Sequence, residues 1–343
     1  MIRLGVDAWN LPGDHRGIGR YLREILSVWW ERERHRVEVT LIVPEWHTWT
    51  VRSRYLRELA PRDYRIVSRR FHQRAHLDAL WFPFNGCSWT NFQLPATATL
   101  HDASNFVVPD YAPRTQAVFR AAADRCRALI TDSAFAQREL ARELYMPLER
   151  LVAILLGVNP PRPAVPVGLD VPALSPYVLY VGSAERRKGI DTLLAAMARV
   201  AHDRSDLSLV VTTKLDDWTV PPGVRVAQLG YVDDDALAAL YRGCAVFAFP
   251  SRYEGFGLPV LEAMSYGAPV VAANSSALPE VGGDAACYVA PDDAAALAAA
   301  ILRVASDAAY ADDLRQRGRR RAASLPWEQT ASQTLDTIES TLR

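Results

Sequence analysis

The chain has 343 residues, half of them hydrophobic, and its 39 lysines and arginines are balanced by 39 aspartates and glutamates. This length exceeds one usual hydrophobic core and predicts two domains, and the balanced charge argues against nucleic acid as the main partner. No apolar run is long enough to span a bilayer, and the start of the chain is typical of a strand and not of a signal peptide, so we expect a cytoplasmic protein.

The first 75 residues are rich in arginine. Such a surface would suit peripheral contact with an anionic membrane, and a solvated arginine-rich surface is an equally good interpretation. The arginines are Arg16, Arg20, Arg23, Arg32, Arg34, Arg36, Arg52, Arg54 and Arg57. The four cysteines have neither metal-binding nor redox spacing, so we expect buried thiols in a reducing compartment.

The first element is a strand over residues 2–7, followed by a loop over 8–19 and a helix with apolar residues at helical spacing over 18–29. Gly17 and Gly19 in this loop would let the backbone approach a phosphate or another ligand closely, although a simple tight turn is the alternative. Leu22 occupies the place of the third glycine of a dinucleotide fingerprint, so a nicotinamide enzyme is disfavoured.

Further apolar runs in the first half predict the other strands of a parallel sheet. They cover residues 37–43, 79–84, 96–100, 128–131 and 151–155. Helices are expected at 117–126 and at 134–143, with Ser133 as the N-cap of the second. Strands that alternate with helices predict an α/β fold.

Two groups of residues in this half are candidates for binding. His101 and Asp102 follow the strand 96–100, and the carboxyl ends of parallel strands face the crevice where α/β proteins bind ligands. A structural role for His101 is about equally well supported. Four aromatic residues between 44 and 64 would stack on sugar rings, enter a membrane interface or pack a short helix. They are Trp46, Trp49, Tyr55 and Tyr64.

A proline-rich stretch that begins at Pro160 separates the two halves and is typical of a stiff linker. We therefore predict an N-terminal domain over 1–160 and a C-terminal domain over 161–326, followed by an amphipathic helix over 327–342. The prolines of the linker are Pro160, Pro161, Pro163, Pro166, Pro172 and Pro176.

The second half repeats the alternation of strands and helices. Strands are expected at 177–181, 207–211, 224–229, 245–249 and 270–272, and helices at 234–241, 294–304 and 314–322, with a turn and short helix over 277–284. The loop 182–189 carries Arg186, Arg187 and Lys188 between a strand end and a helix start. Such a cluster suits a phosphate, and a solvated charged turn is the alternative.

The most informative stretch is 250–263, with the sequence PSRYEGFGLPVLEA. It follows the buried strand 245–249 and leads into a helix whose start is marked by Pro259. The backbone N–H groups of a helix N-terminus suit an anion or a polarised hydroxyl. Glu254 lies just before this helix and Glu262 lies in its first turns.

These motifs resemble those of the retaining glycosyltransferases of family 4. Residues 250–262 match the P-S-x-x-E-G-F-G-L-P-x-x-E form of its E-x7-E loop, 182–189 resembles its donor-phosphate loop, and 17–21 resembles the first loop of bacterial mannosyltransferase-like members. The segments 101–102, 133–135 and 278–286 also fall where that family has them. The resemblance implies a GT-B fold, in which two Rossmann-like domains with parallel sheets face each other across a cleft.

The resemblance also implies roles for individual residues. Arg187 and Lys188 would bind the donor diphosphate, Glu254 the hydroxyls of the transferred sugar, and Glu262 the ribose. His101 would lie near the anomeric carbon, the last helix would brace the N-terminal domain, and His101, Glu254, Arg187 and Lys188 would form the catalytic group. The other donor contacts would come from Gly17, Gly19, Ser183, Tyr231, Val232, Gly255, Phe256, Gly257 and Leu258.

One position departs from the family pattern. Many members have an arginine where this chain has Ser183, so we expect Arg187, or alternatively Arg186, to supply the missing cation. Cations and helix N–H groups stabilise a departing diphosphate without a metal. The nearest acidic cluster, Asp233–Asp235, is typical of a helix N-cap, so we predict a metal-independent enzyme with no cofactor besides the donor substrate.

The resemblance favours transfer of a hexose, expected to be mannose from GDP-mannose, to a glycan or lipid-linked acceptor in bacterial polysaccharide or lipopolysaccharide synthesis. UDP- and dTDP-sugars remain open as donors. A nucleotide-sugar 2-epimerase of GT-B fold and a non-catalytic nucleotide-sugar-binding protein are the alternatives. A P-loop enzyme is excluded because the sequence lacks G-x-x-x-x-G-K-[ST].

Overall fold

The computed structural model describes residues 1–11, 17–44, 64–109, 115–165, 168, 170, 173 and 176–342. The chain divides into two compact units, one of Met1–Gly157 with Trp327–Arg343 and one of Val158–Pro326. The sequence had placed this boundary after residue 160. Several residues singled out above lie outside the described residues, namely Arg16, Trp46, Trp49, Arg52, Arg54, Tyr55, Arg57, Pro166 and Pro172.

The first unit contains a seven-stranded sheet in the described part of the chain, with the order β3-β2-β1-β4-β5-β6-β7. All neighbouring strands are parallel. The strands are β1 (Ile2–Asp7), β2 (Val37–Val43), β3 (Arg65–Ser68), β4 (Ala79–Phe82), β5 (Ala96–Thr99), β6 (Ala128–Thr131) and β7 (Leu151–Ala153).

Helices pack on this sheet. They are α1 (Ile18–Arg32), α2 (Ser104–Val107), α3 (Gln116–Arg125) and α4 (Ala134–Glu143), with short 3₁₀ helices at Arg69–Ala75 and Leu148–Arg150. Ser133 is the N-cap of α4 as predicted, because its Oγ accepts a hydrogen bond from the Ala136 N–H (3.0 Å).

The second unit repeats the arrangement with a six-stranded parallel sheet of order β10-β9-β8-β11-β12-β13 among the residues described. Its strands are β8 (Tyr177–Tyr180), β9 (Ser208–Val211), β10 (Val226–Gln228), β11 (Val246–Phe249), β12 (Val270–Ala273) and β13 (Ala286–Val289). Its helices are α5 (Ile190–Asp203), α6 (Asp234–Gly243), α7 (Leu258–Ser265), α8 (Leu278–Gly282), α9 (Ala294–Ser306) and α10 (Ala308–Ala323), with a 3₁₀ helix at Arg186–Lys188.

In both sheets the strand order reverses beside the first strand of the unit, between β1 and β4 and between β8 and β11. At such a reversal the loops after the two strands diverge to opposite faces and leave a crevice at the carboxyl ends of the strands. The loop 182–189 and the loop that begins at Pro250 are the ones that flank the crevice of the second unit.

The last helix, α11 (Trp327–Ser340), belongs to the first unit. The Trp29 indole of α1 donates to the Ala331 carbonyl (Nε1–O 2.9 Å), and the Thr330 hydroxyl donates to the Leu155 carbonyl (2.8 Å). Arg36 forms ion pairs with two carboxylates of α11 at 2.6 and 2.7 Å. These contacts hold the C-terminal helix against α1, the start of β2 and the segment after β7.

Three expectations about elements need correction. Strands β3 and β13 were not predicted; both are edge strands of only four residues, with one buried residue in β3 and none in β13. Helix α10 begins at Ala308 and not near residue 314, because the Asp307 carboxylate caps it by accepting from the Tyr310 N–H (3.0 Å).

Tyr64 and most of the cysteines, which the sequence had singled out, are buried. Tyr64 packs against Trp30 with 5.2 Å between ring centroids and is only 7% exposed, which favours the packing interpretation for this aromatic. Three of the cysteines are buried and Cys287 is half-buried. The sulfur atoms of Cys87 and Cys126 lie 3.5 Å apart, a proximity that their spacing in the sequence does not reveal.

Among the described residues, no single helix is long and apolar enough to cross a membrane, and one bent pair of helical stretches, Ala294–Ser306 with Ala308–Ser340, meets that test by length and composition when taken together.

Candidate active site

The candidate site of the second unit lies where the loops after β8 and β11 meet. The 3₁₀ helix Arg186–Lys188 ends at Gly189, which has a φ of 70°. A Cβ atom at this position would lie 2.2 Å from the Pro250 carbonyl oxygen, so only glycine fits here. The Arg252 N–H also donates to the Arg187 carbonyl (2.8 Å), and the two loops are therefore joined along their backbones.

Two cations and one carboxylate form the centre of this site. The Lys188 ammonium donates to Glu254 Oε1 (2.6 Å), and an Arg187 guanidinium nitrogen lies 3.6 Å from Glu254 Oε2. The same guanidinium donates to the Tyr253 carbonyl (3.2 Å). The three charged side chains are only 10–17% exposed, so their charges interact through little water.

Arg187, and not Arg186, is the arginine that reaches this centre. Its Nε donates to Glu185 Oε2 (2.8 Å), while the Ser183 hydroxyl donates to Glu185 Oε1 (2.8 Å). Partial burial would raise the pKa of Glu185, but the Ser183 hydrogen bond and the Arg187 charge outweigh burial and lower it. Glu185 therefore holds the Arg187 guanidinium in place beside Glu254. The side chain of Arg186, by contrast, is exposed.

The segment 255–258 forms the start of helix α7. Gly257 is its N-cap with a φ of 99°, and Pro259 lies in the first turn as predicted. A Cβ atom on Gly257 would lie 2.6 Å from Leu278 Cδ2, so the helix start packs closely against α8. Gly255 and Phe256 precede this start and are buried.

Glu262 points into a buried environment on α7. Its side chain accepts a hydrogen bond from the Tyr241 hydroxyl (O–Oε2 3.2 Å), and the residue is only 7% exposed. The Tyr241 ring stacks on Tyr266 with 5.8 Å between centroids. Tyr241 is a partner that the sequence motifs did not identify, because it comes from a different helix, α6.

Tyr231 and Val232 lie between β10 and α6, at the carboxyl end of a strand two places from β8 in the sheet. Tyr231 is 69% exposed. The next residue, Asp233, is the N-cap of α6, since its carboxylate accepts from the Ala236 N–H (2.8 Å). This confirms the capping interpretation of the acidic cluster 233–235.

The first unit holds the other predicted residues. Gly17 has a φ of 49° and is the N-cap of α1, and Gly19 is buried in its first turn. The expectation that these glycines and His101 close on the donor from the other domain stays a prediction.

His101 forms hydrogen bonds at both ring nitrogens. Nδ1 lies 2.8 Å from Asp132 Oδ2, and Nε2 lies 2.9 Å from the Pro83 carbonyl oxygen, which only accepts. Burial alone would lower the pKa of His101, but the charge and hydrogen bond of Asp132 outweigh it and raise the pKa above 6.5. The imidazole is therefore a fully bonded group at the end of β5, and its catalytic role stays a prediction.

The Tyr21 ring of α1 covers the His101 ring edge-on, with 5.0 Å between centroids. This contact helps to bury the imidazole ring. Asp132 follows β6, so the pair joins the carboxyl ends of two neighbouring strands. Asp132 was not among the residues singled out from the sequence, although its place directly after a predicted strand was a signal for it.

No group of three or more histidine, cysteine, aspartate or glutamate side chains in the described ranges is arranged to hold a metal ion.

Solved structures with the same fold cover the whole chain. Sucrose-phosphate synthase from Thermosynechococcus elongatus superposes with a TM-score of 0.73 at 21% identity, covering 99% of each chain. HepE of Anabaena, solved with UDP and glucose, superposes with a TM-score of 0.75 at 16% identity and covers 99% of this chain and 100% of its own. Both neighbours share the architecture of this chain over almost its whole length, and with the two parallel sheets they confirm the predicted fold class.

Sequence comparisons identify the family. The profile described as Glycosyl transferases group 1 matches residues 175–307. O-antigen chain mannosyltransferase B of Escherichia coli is 33% identical over 300 residues, which are 80% of this chain and 78% of that protein. MMP alpha-(1->4)-mannosyltransferase of Mycolicibacterium hassiacum is 35% identical over 199 residues, 52% of this chain and 48% of that protein. The chain therefore belongs to the group 1 glycosyltransferases.

Proposed function

We propose that this glycosyltransferase moves mannose from GDP-mannose to a glycan or lipid-linked acceptor in bacterial surface-polysaccharide synthesis, with retention of configuration and without a metal. The names of two relatives support the choice of mannose, since both are mannosyltransferases. The name of the Escherichia coli protein supports an O-antigen-like product. Lipopolysaccharide is the corresponding surface glycan.

The observation that carries the proposal is the cluster of Arg187, Lys188 and Glu254 at the strand reversal of the second unit. Breaking the bond between a sugar and a diphosphate leaves negative charge on the departing phosphate oxygens. Two fixed cations in a site of low exposure stabilise that charge at little reorganisation cost. Beside these cations, the Glu254 carboxylate is placed to accept hydrogen bonds from hydroxyl groups of the sugar.

In this proposal the donor exchanges partners with the ion pair. The diphosphate takes over Lys188 and Arg187, and the hydroxyls of the sugar become the donors to Glu254. The backbone N–H groups of 255–258, at the start of α7, contribute further hydrogen bonds. The buried Glu262 carboxylate binds the ribose hydroxyls, and Tyr231 and Val232 line the base pocket.

Transfer with retention follows from attack of the acceptor on the face from which the diphosphate departs. The phosphate oxygen held by the cations takes the proton of the attacking hydroxyl, and a role for His101 at the anomeric carbon is part of the proposal. No carboxylate is assigned as a covalent nucleophile, because Glu254 and Glu262 both bind hydroxyls in this mechanism.

The experiment compares donors on the purified chain. GDP-mannose, UDP-glucose and dTDP-glucose are tested by thermal shift and then by release of the nucleoside diphosphate in the presence of α-mannoside acceptors. We expect the largest shift and fastest transfer with GDP-mannose, and an α-linked product by NMR. Equal thermal shifts for all three donors would refute the choice of GDP-mannose. A β-linked product would refute retention of configuration. An epimer formed from the donor alone, without acceptor, would indicate an epimerase.

Metal independence is tested in the same assay. Activity should survive an excess of EDTA, because the cations that stabilise the leaving group belong to the protein. Loss of activity on chelation, with rescue by a single divalent metal, would refute this part of the proposal.

Peripheral contact with the inner face of the cell membrane remains part of the proposal and rests on the arginine-rich first 75 residues. It is tested by flotation of the chain with vesicles that contain or lack anionic lipid. Equal binding to both, or to neither, would contradict it.

A further inference from the structure

Ser276 has an unusual backbone conformation beside the candidate site. It lies between β12 and α8 with a φ of 51°, in the left-handed region that residues with a side chain rarely adopt. Glycine would take this conformation without strain, so the serine is retained at a cost. Backbone strain of this kind concentrates at functional sites.

The Ser276 hydroxyl has a defined partner. Its Oγ accepts a hydrogen bond from the Glu254 N–H (3.0 Å), and the N–H of the next residue, Ala277, faces the Glu254 carbonyl (3.4 Å). The backbone of Glu254 is thus held on both sides by two consecutive residues of another loop. Leu278, which follows them, packs against the position of Gly257.

We propose that Ser276 is a positioning residue of the donor site, whose hydroxyl fixes Glu254 so that its carboxylate meets the hydroxyls of the transferred sugar. A glycine would relieve the strained φ but would leave the Glu254 N–H without this acceptor. We therefore interpret the strained backbone of Ser276 as the energetic cost of orienting the Glu254 carboxylate. This inference rests on the proposed function, in which Glu254 binds the sugar and not the nucleotide.

The neighbouring serine provides a matched control. The Ser275 hydroxyl donates to the Ser251 carbonyl (2.7 Å), so Ser275→Ala also removes one hydrogen bond between the same two loops. It leaves the Glu254 N–H bonded. Ser276→Gly removes the hydroxyl and the strain, Ser276→Ala removes the hydroxyl alone, and Ser276→Asn keeps an acceptor oxygen on a residue that tolerates positive φ.

The test measures kcat, KM and Tm for the four variants, with GDP-mannose as the probe donor. Ser276→Gly and Ser276→Ala should both lose about tenfold in kcat/KM, the scale of one hydrogen bond in a preorganised site. Ser276→Gly should nevertheless unfold at a higher temperature than Ser276→Ala. Ser276→Asn should recover part of the loss, and Ser275→Ala should remain within about twofold of the wild type.

Binding separates a positioning role from a structural one. By calorimetry, Ser276→Gly should bind GDP like the wild type but bind GDP-mannose more weakly, since only the sugar meets Glu254. Wild-type kinetics for Ser276→Gly, equal losses in Ser275→Ala, or equal weakening for GDP and GDP-mannose would overturn the inference. A wild-type chain that binds GDP-mannose without transferring it would refute the proposed function alone, and one that binds neither compound would refute both.

Discussion

Replacement of Lys188 by alanine is the sharpest test of the candidate site, because the structure allows its effect to be worked out. The ammonium lies 2.6 Å from Glu254, and Arg187 remains 3.6 Å from the same carboxylate. At an effective dielectric constant of about 20, these distances correspond to gross attractions of about 6 and about 5 kcal/mol. Close to half of the attraction on Glu254 therefore survives in Lys188→Ala.

Breaking a buried ion pair by removing one partner costs about 3–5 kcal/mol when the other charge is left alone. Because Arg187 stays, we expect Lys188→Ala to lose about 2–3 kcal/mol of stability. For a unit of this size the loss lowers Tm by about 5–10 °C. Because native domains are typically stable by about 5–15 kcal/mol, we expect the variant to stay folded at 25 °C, where its kinetics are measured.

The catalytic effect should be larger than the effect on stability. Lys188 is proposed to stabilise the charge that develops on the leaving diphosphate, and loss of one such group costs about 10²–10³ in turnover. The assay is release of nucleoside diphosphate at saturating donor, with calorimetry on the same samples to establish folding.

Arg186→Ala is the matched control, because Arg186 precedes the two cations in the same 3₁₀ helix and is exposed. We expect its turnover to stay within about twofold of the wild type. A folded Lys188→Ala with nearly unchanged turnover would refute the role of Lys188. An Arg186→Ala variant that loses as much as Lys188→Ala would refute the choice of Arg187 as the second cation.

Three further predictions follow from other contacts. Glu262→Ala should weaken the binding of GDP at least tenfold by calorimetry, because it removes a buried carboxylate proposed to hold the ribose; unchanged affinity would contradict that role. Gly189→Ala should lower Tm and abolish turnover, since the new Cβ would lie 2.2 Å from the Pro250 carbonyl oxygen. A variant as stable as the wild type would show that the loop 182–189 and the loop that begins at Pro250 separate freely. The pKa of His101 is raised above 6.5 in the folded chain, so its stabilising effect is present below about pH 6.5 and lost as the pH rises through the folded pKa. Urea unfolding between pH 6 and 9 should show this decline in the wild type and less of it in His101→Phe; identical slopes would refute it.

The alternation of apolar runs and helical periods predicted the α/β class without the structure, and the resemblance of the loop motifs to a family predicted the GT-B arrangement. The predicted bounds of β1, β2, β6 and α4 agree residue for residue with the structure. These elements are buried or strongly amphipathic, and burial is what the apolar pattern records. The short edge strands β3 and β13 were missed, although the other two edge strands, β7 and β10, were predicted, so position at the edge of a sheet does not by itself remove the pattern.

The sequence also named three side chains that the structure brings together, because a short loop after a strand and a helix N-terminus leave local signals. Arg187, Lys188 and Glu254 were named from two separate stretches of chain, 66 residues apart between Lys188 and Glu254. The choice between Arg186 and Arg187 could not be made from two adjacent residues of the same type. It depends on which side chain the turn at Gly189 directs towards Glu254.

Only the tertiary structure supplied the groups that hold the site together. Ser276, Tyr241 and Asp132 come from elements remote in sequence from Glu254, Glu262 and His101, and no local pattern links such partners. The same is true of the close approach of Cys87 and Cys126. The sequence by itself determined which chemical groups the strand ends present, because each end is a local feature. The pairing of those groups was decided by the order of strands in the sheet, because this order brings distant loops to one edge.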